Sequence, residues 1–220
     1  PDLGPAEVLP GSANRRRTPA MTTNASGYLL RQFEIAWALT SMHLDGLTTE
    51  ECLWRPAEKG LHVHQIGDGS WRADWPEHER YDLGPPSIAW LTWHLGFWWS
   101  MVLDHSFGSG RLTREQATWP GTADAVRASA GRLEAQWRAK LARMGDAELA
   151  ERSRTHWPFQ DRPFGDLVGW LNVELMKNAA EIGYARFLYA VTNDQRRVRR
   201  DDSAGRLPRD VPSSRPGSAG

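Results

Sequence analysis

The chain has 220 residues, enough for one domain with tails, and 27 basic residues balance 27 acidic ones to a formal net charge of zero. That balance excludes a whole-domain electrostatic affinity for nucleic acid or for an anionic membrane surface, so no membrane partner and no nucleic-acid partner is expected. A single cysteine, Cys52, rules out an intramolecular disulfide and fits a reducing compartment. With no secretory segment near the start, a cytoplasmic location is expected.

Residues 1–24 are rich in Pro, Gly, Ala and Arg and carry no apolar period, so they read as a disordered N-terminal extension. Met21, followed by TTNASGY, looks like a natural translation start, which makes residues 1–20 an upstream addition, and the run Arg15, Arg16, Arg17 reads as solvated. The folded domain is then residues 25–192. Its first helix runs from about Ser26 to Leu44, with Leu30, Phe33, Trp37, Ser41 and Leu44 recurring at threes and fours and Gly46 as the stop. His43 in its last turn reads as a cation near the negative end of the helix dipole. Thr48 with Glu51 forms a capping box that opens a short turn, where Cys52 reads as a buried filler.

Residues 55–86 show no sustained period and are too long for a plain connector. They hold His62, His64 and His78 with Trp71, Trp75 and Tyr81, a content suited to covering one end of a helical bundle. In an extended segment His62 and His64 project to one side, a spacing a metal ion can use.

The stretch Ser87 to His105, SIAWLTWHLGFWWSMVLDH, is apolar around nearly the whole helix circumference and has to be buried. It carries His94, Asp104 and His105 with no comparable neighbour, so it reads as the central helix of a bundle rather than a membrane span. His94 shares a side with Trp90, Phe97, Trp98 and Met101, which points an imidazole into apolar surroundings. His105 lies about 16 Å further along the axis at about 1.5 Å per residue, too far to share an ion with His94.

Gly108 and Gly110 end this helix, and Thr122 opens a third, to about Met144, with Val126, Ala130, Leu133, Trp137, Leu141 and Met144 on one stripe. The fourth helix runs from about Phe164 to Val191, with Leu167, Trp170, Leu171, Leu175, Ile182, Ala185, Leu188 and Tyr189 on its inward arc. Glu174, Asn178 and Glu181 fall inside that arc, whereas Asp166, Asn172, Lys177 and Arg186 supply the solvated face. Buried carboxylates need a partner, a hydrogen bond or a metal. A second apolar strip, Val173, Met176, Ala180 and Phe187, lies away from the core arc and predicts a homodimer interface. Residues 193–220, Arg-rich among Asp, Ser, Pro and Gly, read as a disordered tail.

These features predict an all-α four-helix bundle with one long loop between helices 1 and 2 and a site between facing helices. The pocket is expected to be lined by Trp90, Trp98, Trp170, Glu181 and, from the long loop, His64.

The segments LTTEECLWRPA, SIAWLTWHLGFWWSMV and FGDLVGWLNVELMKNAAEIGYARFLYA, in that order, resemble the DinB superfamily over roughly Tyr28 to Val191. That superfamily includes YfiT-like metal-dependent hydrolases and thiol-dependent S-transferases. The resemblance implies a divalent metal held by one histidine of the second helix and two of the last, spaced H-x-x-x-H. His94 matches the first position. The other two fall on Glu174 and Asn178, which keep the spacing but not the imidazoles, so the implied metal set is His94, Glu174 and Asn178.

Three readings stay open. In the first, these residues hold one divalent ion (Zn, Ni, Fe or Mn), and the ion activates water or a low-molecular-weight thiol for hydrolysis or S-transfer to a small substrate. In the second, no metal is present and His94 with Glu174 acts as a general acid/base or a ligand-binding spot. In the third, the polar cluster satisfies itself and the protein is a ligand-binding or dimeric scaffold without chemistry.

Overall fold

The computed structural model describes residues 24–78 and 80–204, with side chains of the last helix described as far as Gln195. The expected N-terminal extension up to residue 23, with its arginine run, and residues 205–220 lie outside the described residues.

Among the described residues there are six α-helices and one two-stranded sheet: α1 (Ala25–Leu44), α2 (Thr49–Leu53), β1 (Val63–Gln65), β2 (Trp71–Ala73), α3 (Ile88–Phe107), α4 (Ala123–Leu141), α5 (Asp146–Ala150) and α6 (Phe164–Ala204). The long helices α1, α3, α4 and α6 form the expected bundle. Their starts are set by side chains that accept orphan N–H groups: Asn24 from Gly27, Ser87 from Trp90 and Thr122 from Ala125. Helix α6 continues past Val191 to Ala204, into the segment expected to be tail. Nothing between Val191 and Ala204 breaks a helix, and the first breakers are Gly205 and Pro208.

Helices α1 and α6 run parallel, because Leu29 O accepts from Asn172 and His43 O accepts from Arg186. Helix α3 runs antiparallel to α6, since His94 meets Asn178 while Phe107 meets Phe164 at 5.6 Å. Helix α4 opposes α1, with Arg138 on Glu34 at one end and Arg127 on Leu44 O at the other. It follows that α3 and α4 are parallel, so the connection between them, residues 108–122, must return the length of the bundle. It does so as a strap along α3: Asp104 accepts from the N–H of Leu112 at 2.8 Å, Trp93 donates to Ala117 O at 2.7 Å, and Trp119 donates to Thr92 at 3.0 Å. The bundle therefore has two long connections where the sequence suggests one.

The first connection is not structureless. After α2 it folds into an antiparallel hairpin with His64 opposite Arg72. The hairpin's strands are too short to show a period of two. Glu51 does not return to Thr48: Thr48 accepts from the Glu51 N–H, but the Glu51 carboxylate, buried, takes Arg186 at 2.8 Å.

Arg186 is thus not a solvated residue of α6. Its guanidinium donates to His43 O at 2.8 Å and Asp45 O at 2.7 Å, so it supplies the cation for the C-terminus of α1. Burial and Arg186 push the His43 imidazole below its ordinary pKa, which corrects the expectation of a cationic His43. The same ring explains Gly183, where a Cβ would come within 2.5 Å of His43 Cε1. Asn172 is likewise buried rather than solvated, donating to Leu29 O and Gln32.

Two clusters of buried side chains share α3. One is built around Trp90, Trp93, Phe97, Met101, Trp119 and Ile182, under the two connections. The other, around Phe33, Trp99, Val102, Trp137, Phe164 and Leu171, fills the opposite half. On the outside of α6 the expected second strip is partly confirmed in position. Val173 and Phe187 are exposed together with Tyr184 and Val191, whereas Met176 packs against the second cluster.

Candidate functional site

His94 sits at the middle of α3 with both ring nitrogens engaged. The Trp98 indole N–H lies 2.7 Å from Nε2, and Asn178 Oδ1 lies 2.9 Å from Nδ1. An indole nitrogen only donates, so Nε2 carries the lone pair and Nδ1 carries the proton. Asn178 is oriented in turn by donating Nδ2–H to Glu174 O at 2.7 Å, which leaves its Oδ1 to accept from His94. The imidazole is also stacked on Trp90, with centroids 4.7 Å apart and planes 18° from parallel. Burial drives its pKa down to about 4, and Lys177 works in the same direction while Asn178 opposes. His94 is neutral at physiological pH.

One edge of this arrangement opens into a cleft of about 720 Å³ between α3, α6 and the loop 76–86. Trp90, His94 and Trp98 form one wall, and Glu174, Lys177 and Glu181 another. Lys177 Nζ is 3.7 Å from a carboxylate oxygen of both Glu174 and Glu181. Glu174 Oε2 is buried and has no hydrogen-bond partner among the described residues. Burial pushes the Glu181 carboxyl above the usual carboxylate range; the nearby Glu174 adds to this and Lys177 offsets it.

The structure therefore brings His94, Trp90, Trp98, Glu174 and Glu181 to one cleft, with Asn178 behind the imidazole. Trp170 stands outside it, edge-on to Trp98 at 5.0 Å. His64 is elsewhere: on β1, half exposed, its Nε2 2.9 Å from Asp74. His62 is 4 % exposed; its backbone N–H donates to the same Asp74 carboxylate at 2.8 Å, while its ring nitrogens take no hydrogen bond among the described residues. His105 lies near Leu112 O and stacks on Trp157. Cys52 is fully buried with its thiol pushed up to about 12 by burial and Glu51, the behaviour of a core filler. Sequence reasoning missed Lys177, although its position at i+3 from Glu174 and i−4 from Glu181 is an ion-pair spacing that marks it. It also missed Arg80, which lines the cleft together with His78 and Tyr81 of the long loop.

A divalent metal does not fit the donor set. Coordination through His94 Nε2 would displace the Trp98 N–H, and coordination through Nδ1 would move the proton to Nε2, against that same N–H. Asn178 offers only an amide oxygen, a weak ligand for zinc. Among the described residues no three His, Cys, Asp or Glu side chains gather closely enough to hold an ion.

The fold and site define a helical-bundle protein with a half-buried, fully hydrogen-bonded histidine beside a mixed aromatic and charged cleft. A family model of the DinB superfamily matches residues 32–182, and the chain belongs to that superfamily. No curated protein and no solved structure matches the sequence. No helix among the described residues is long and apolar enough to cross a membrane.

Proposed function

We propose that this protein binds a small organic molecule in the cleft beside His94 and works without a resident metal. The observation that carries this reading is the state of His94, whose one lone pair already accepts from Trp98. A pKa near 4 also places the imidazole far from the range in which a general base is effective at neutral pH, so binding is favoured over acid/base chemistry. Trp90 and Trp98 offer flat apolar contact, while Glu174 Oε2, which faces Lys177 at 3.7 Å but accepts no hydrogen bond among the described residues, suits a donor on the ligand. Elemental analysis of native protein, purified without tag or chelator and repeated on His94→Ala, tests this. The expected result is no stoichiometric metal in either protein. One metal per chain, lost in His94→Ala, would overturn the reading and restore metal-dependent hydrolysis or thiol S-transfer.

A second, separate proposal concerns assembly. Val173, Ala180, Tyr184, Phe187 and Val191 are exposed at spacings of threes, fours and sevens, the pattern of a seam between helices. Two copies pairing through this strip would cover it. Sedimentation velocity at micromolar concentration should show a dimer that Phe187→Asp dissociates, and a monomer in the unmodified chain would count against it.

A further inference from the structure

Helix α3 borders a second hollow. Turned away from the His94 cleft, it encloses with α4 and the strap 108–122 a cavity of about 210 Å³. No residue lining this cavity is charged, in contrast to the cleft with its Glu174, Lys177 and Glu181. Its wall is the pair Trp93 and Phe97, whose rings stack at 5.4 Å and 15°. Phe97 also meets Trp98 at 5.1 Å, so a ring that lines the cavity touches a ring that lines the cleft.

The hollow is made by small residues on two helices, Gly96 on α3 and Ser129 and Ala130 on α4. A Cβ built on Gly96 would meet no heavy atom within 4 Å. A glycine in the middle of a helix costs roughly 0.5–1 kcal/mol relative to alanine, so the position gives up helix stability without gaining a close contact. An apolar cavity of about 150 Å³ is known to take up benzene, which sets the scale of what this one holds. An unpaired charge entering such a space would lose its hydration without compensation.

The strap is tied to α3 at both ends, by Asp104 accepting from Ser109 and Leu112 and by Trp93 and Trp119 donating to Ala117 O and Thr92. The turn between, Arg114–Gln116, is held by its own bonds, with the Thr113 N–H on Gln116 Oε1 at 2.9 Å, and by Arg114 lying over the Trp75 ring at 4.7 Å.

We propose that the strap cavity is a second binding site, for an uncharged compound about the size of one substituted aromatic ring, stacked on Trp93 and Phe97. The hydroxyls of Ser100 and Ser129 line the same space and suit one polar substituent.

Toluene and phenol are the neutral probes and benzoate the charged one, titrated against the full chain by calorimetry and tryptophan fluorescence. The expected result is saturable binding of toluene and phenol with a dissociation constant of about 1 mM or tighter, and benzoate at least tenfold weaker. Gly96→Leu and Ser129→Leu fill the cavity from opposite sides, and each should weaken toluene at least tenfold. Should one fail to fold, the other carries the test. Binding should survive His94→Gln, which alters only the cleft. The inference is overturned if toluene does not saturate, if the filled variants bind it as the unmodified chain does, if benzoate binds equally well, or if His94→Gln abolishes binding.

Discussion

The tryptophans of the two halves of the bundle are treated differently. In the half under the connections, Trp90 donates to Asp74 O, Trp93 to Ala117 O, Trp98 to His94 and Trp119 to Thr92. In the other half Trp99 and Trp137 are 2 % and 0 % exposed, and their N–H groups have no partner among the described residues. There the indole serves as bulk, filling space between Phe33, Phe164 and Leu171. Under the connections it serves as a tie: each N–H fixes a loop, a strap or an imidazole against α3. A helix with large apolar side chains all round can thus be a packing element in one half and border both the cleft and the strap cavity in the other.

The largest effect should come from the packing half. Trp137→Ala removes a completely buried indole and should cost about 3–5 kcal/mol in chemical denaturation, while Trp98→Ala, at a half-buried position, should cost less and yet disorder His94. Equal losses would erase the contrast.

Acid should act on the other half. His94 is neutral in the fold with a pKa of about 4, whereas an unfolded chain takes up a proton below about 6.5. Its stabilising contribution is complete above that value and is lost as pH falls toward 4, up to about 3 kcal/mol at about 1.4 kcal/mol per unit. His43 and His62, also pushed down by burial, slope the same way. Denaturation of His94→Gln between pH 4 and 6.5 should retain only their share of the slope, less the opposing contribution of the raised Glu181 carboxyl. An unchanged slope would mean that His94 is not the buried neutral group described here.

Much of this was legible in the sequence, and the limits have physical causes. The four long helices follow from periodicity and caps, and the row Glu174, Asn178, Glu181 follows from the same period, because a core arc 100° per residue either includes a polar residue or does not. Asn172 and Arg186 were misplaced for a different reason, whereas Lys177 is exposed as expected. Each of the two sits where partners far away in the chain decide its setting: Leu29 for Asn172, and the end of α1 with Glu51 for Arg186. The strap was illegible since its direction depends on α3 and α4 being parallel, which no local pattern encodes. The cavity beneath it was marked by Gly96 alone.

The family's imidazole arrangement can be rebuilt, and the indole tie predicts that rebuilding it takes one step more than the last helix suggests. Glu174→His with Asn178→His restores H-x-x-x-H opposite His94, yet a metal on Nδ1 leaves the Nε2 proton facing the Trp98 N–H. Adding Trp98→Phe removes that conflict, worth about 1–3 kcal/mol, so the triple variant should bind zinc roughly ten- to a hundredfold more tightly than the double. Competition with a chromophoric chelator measures the ratio. Equal affinities would show that Trp98 does not govern the lone pair.

The smallest effect is the most direct comparison of the two halves. Trp93→Phe and Trp137→Phe delete the same ring portion and the same N–H, and both positions are buried. At Trp93 the change also strands Ala117 O, a carbonyl at the end of the strap, and adds the cost of a lost partner. At Trp137 no partner is lost, and removing a buried N–H without an acceptor offsets part of the lost packing. Trp93→Phe should therefore be the more destabilising by about 1 kcal/mol in urea denaturation. The reverse order would mean that the Trp137 N–H is satisfied in solution and that the indoles of both halves are ties.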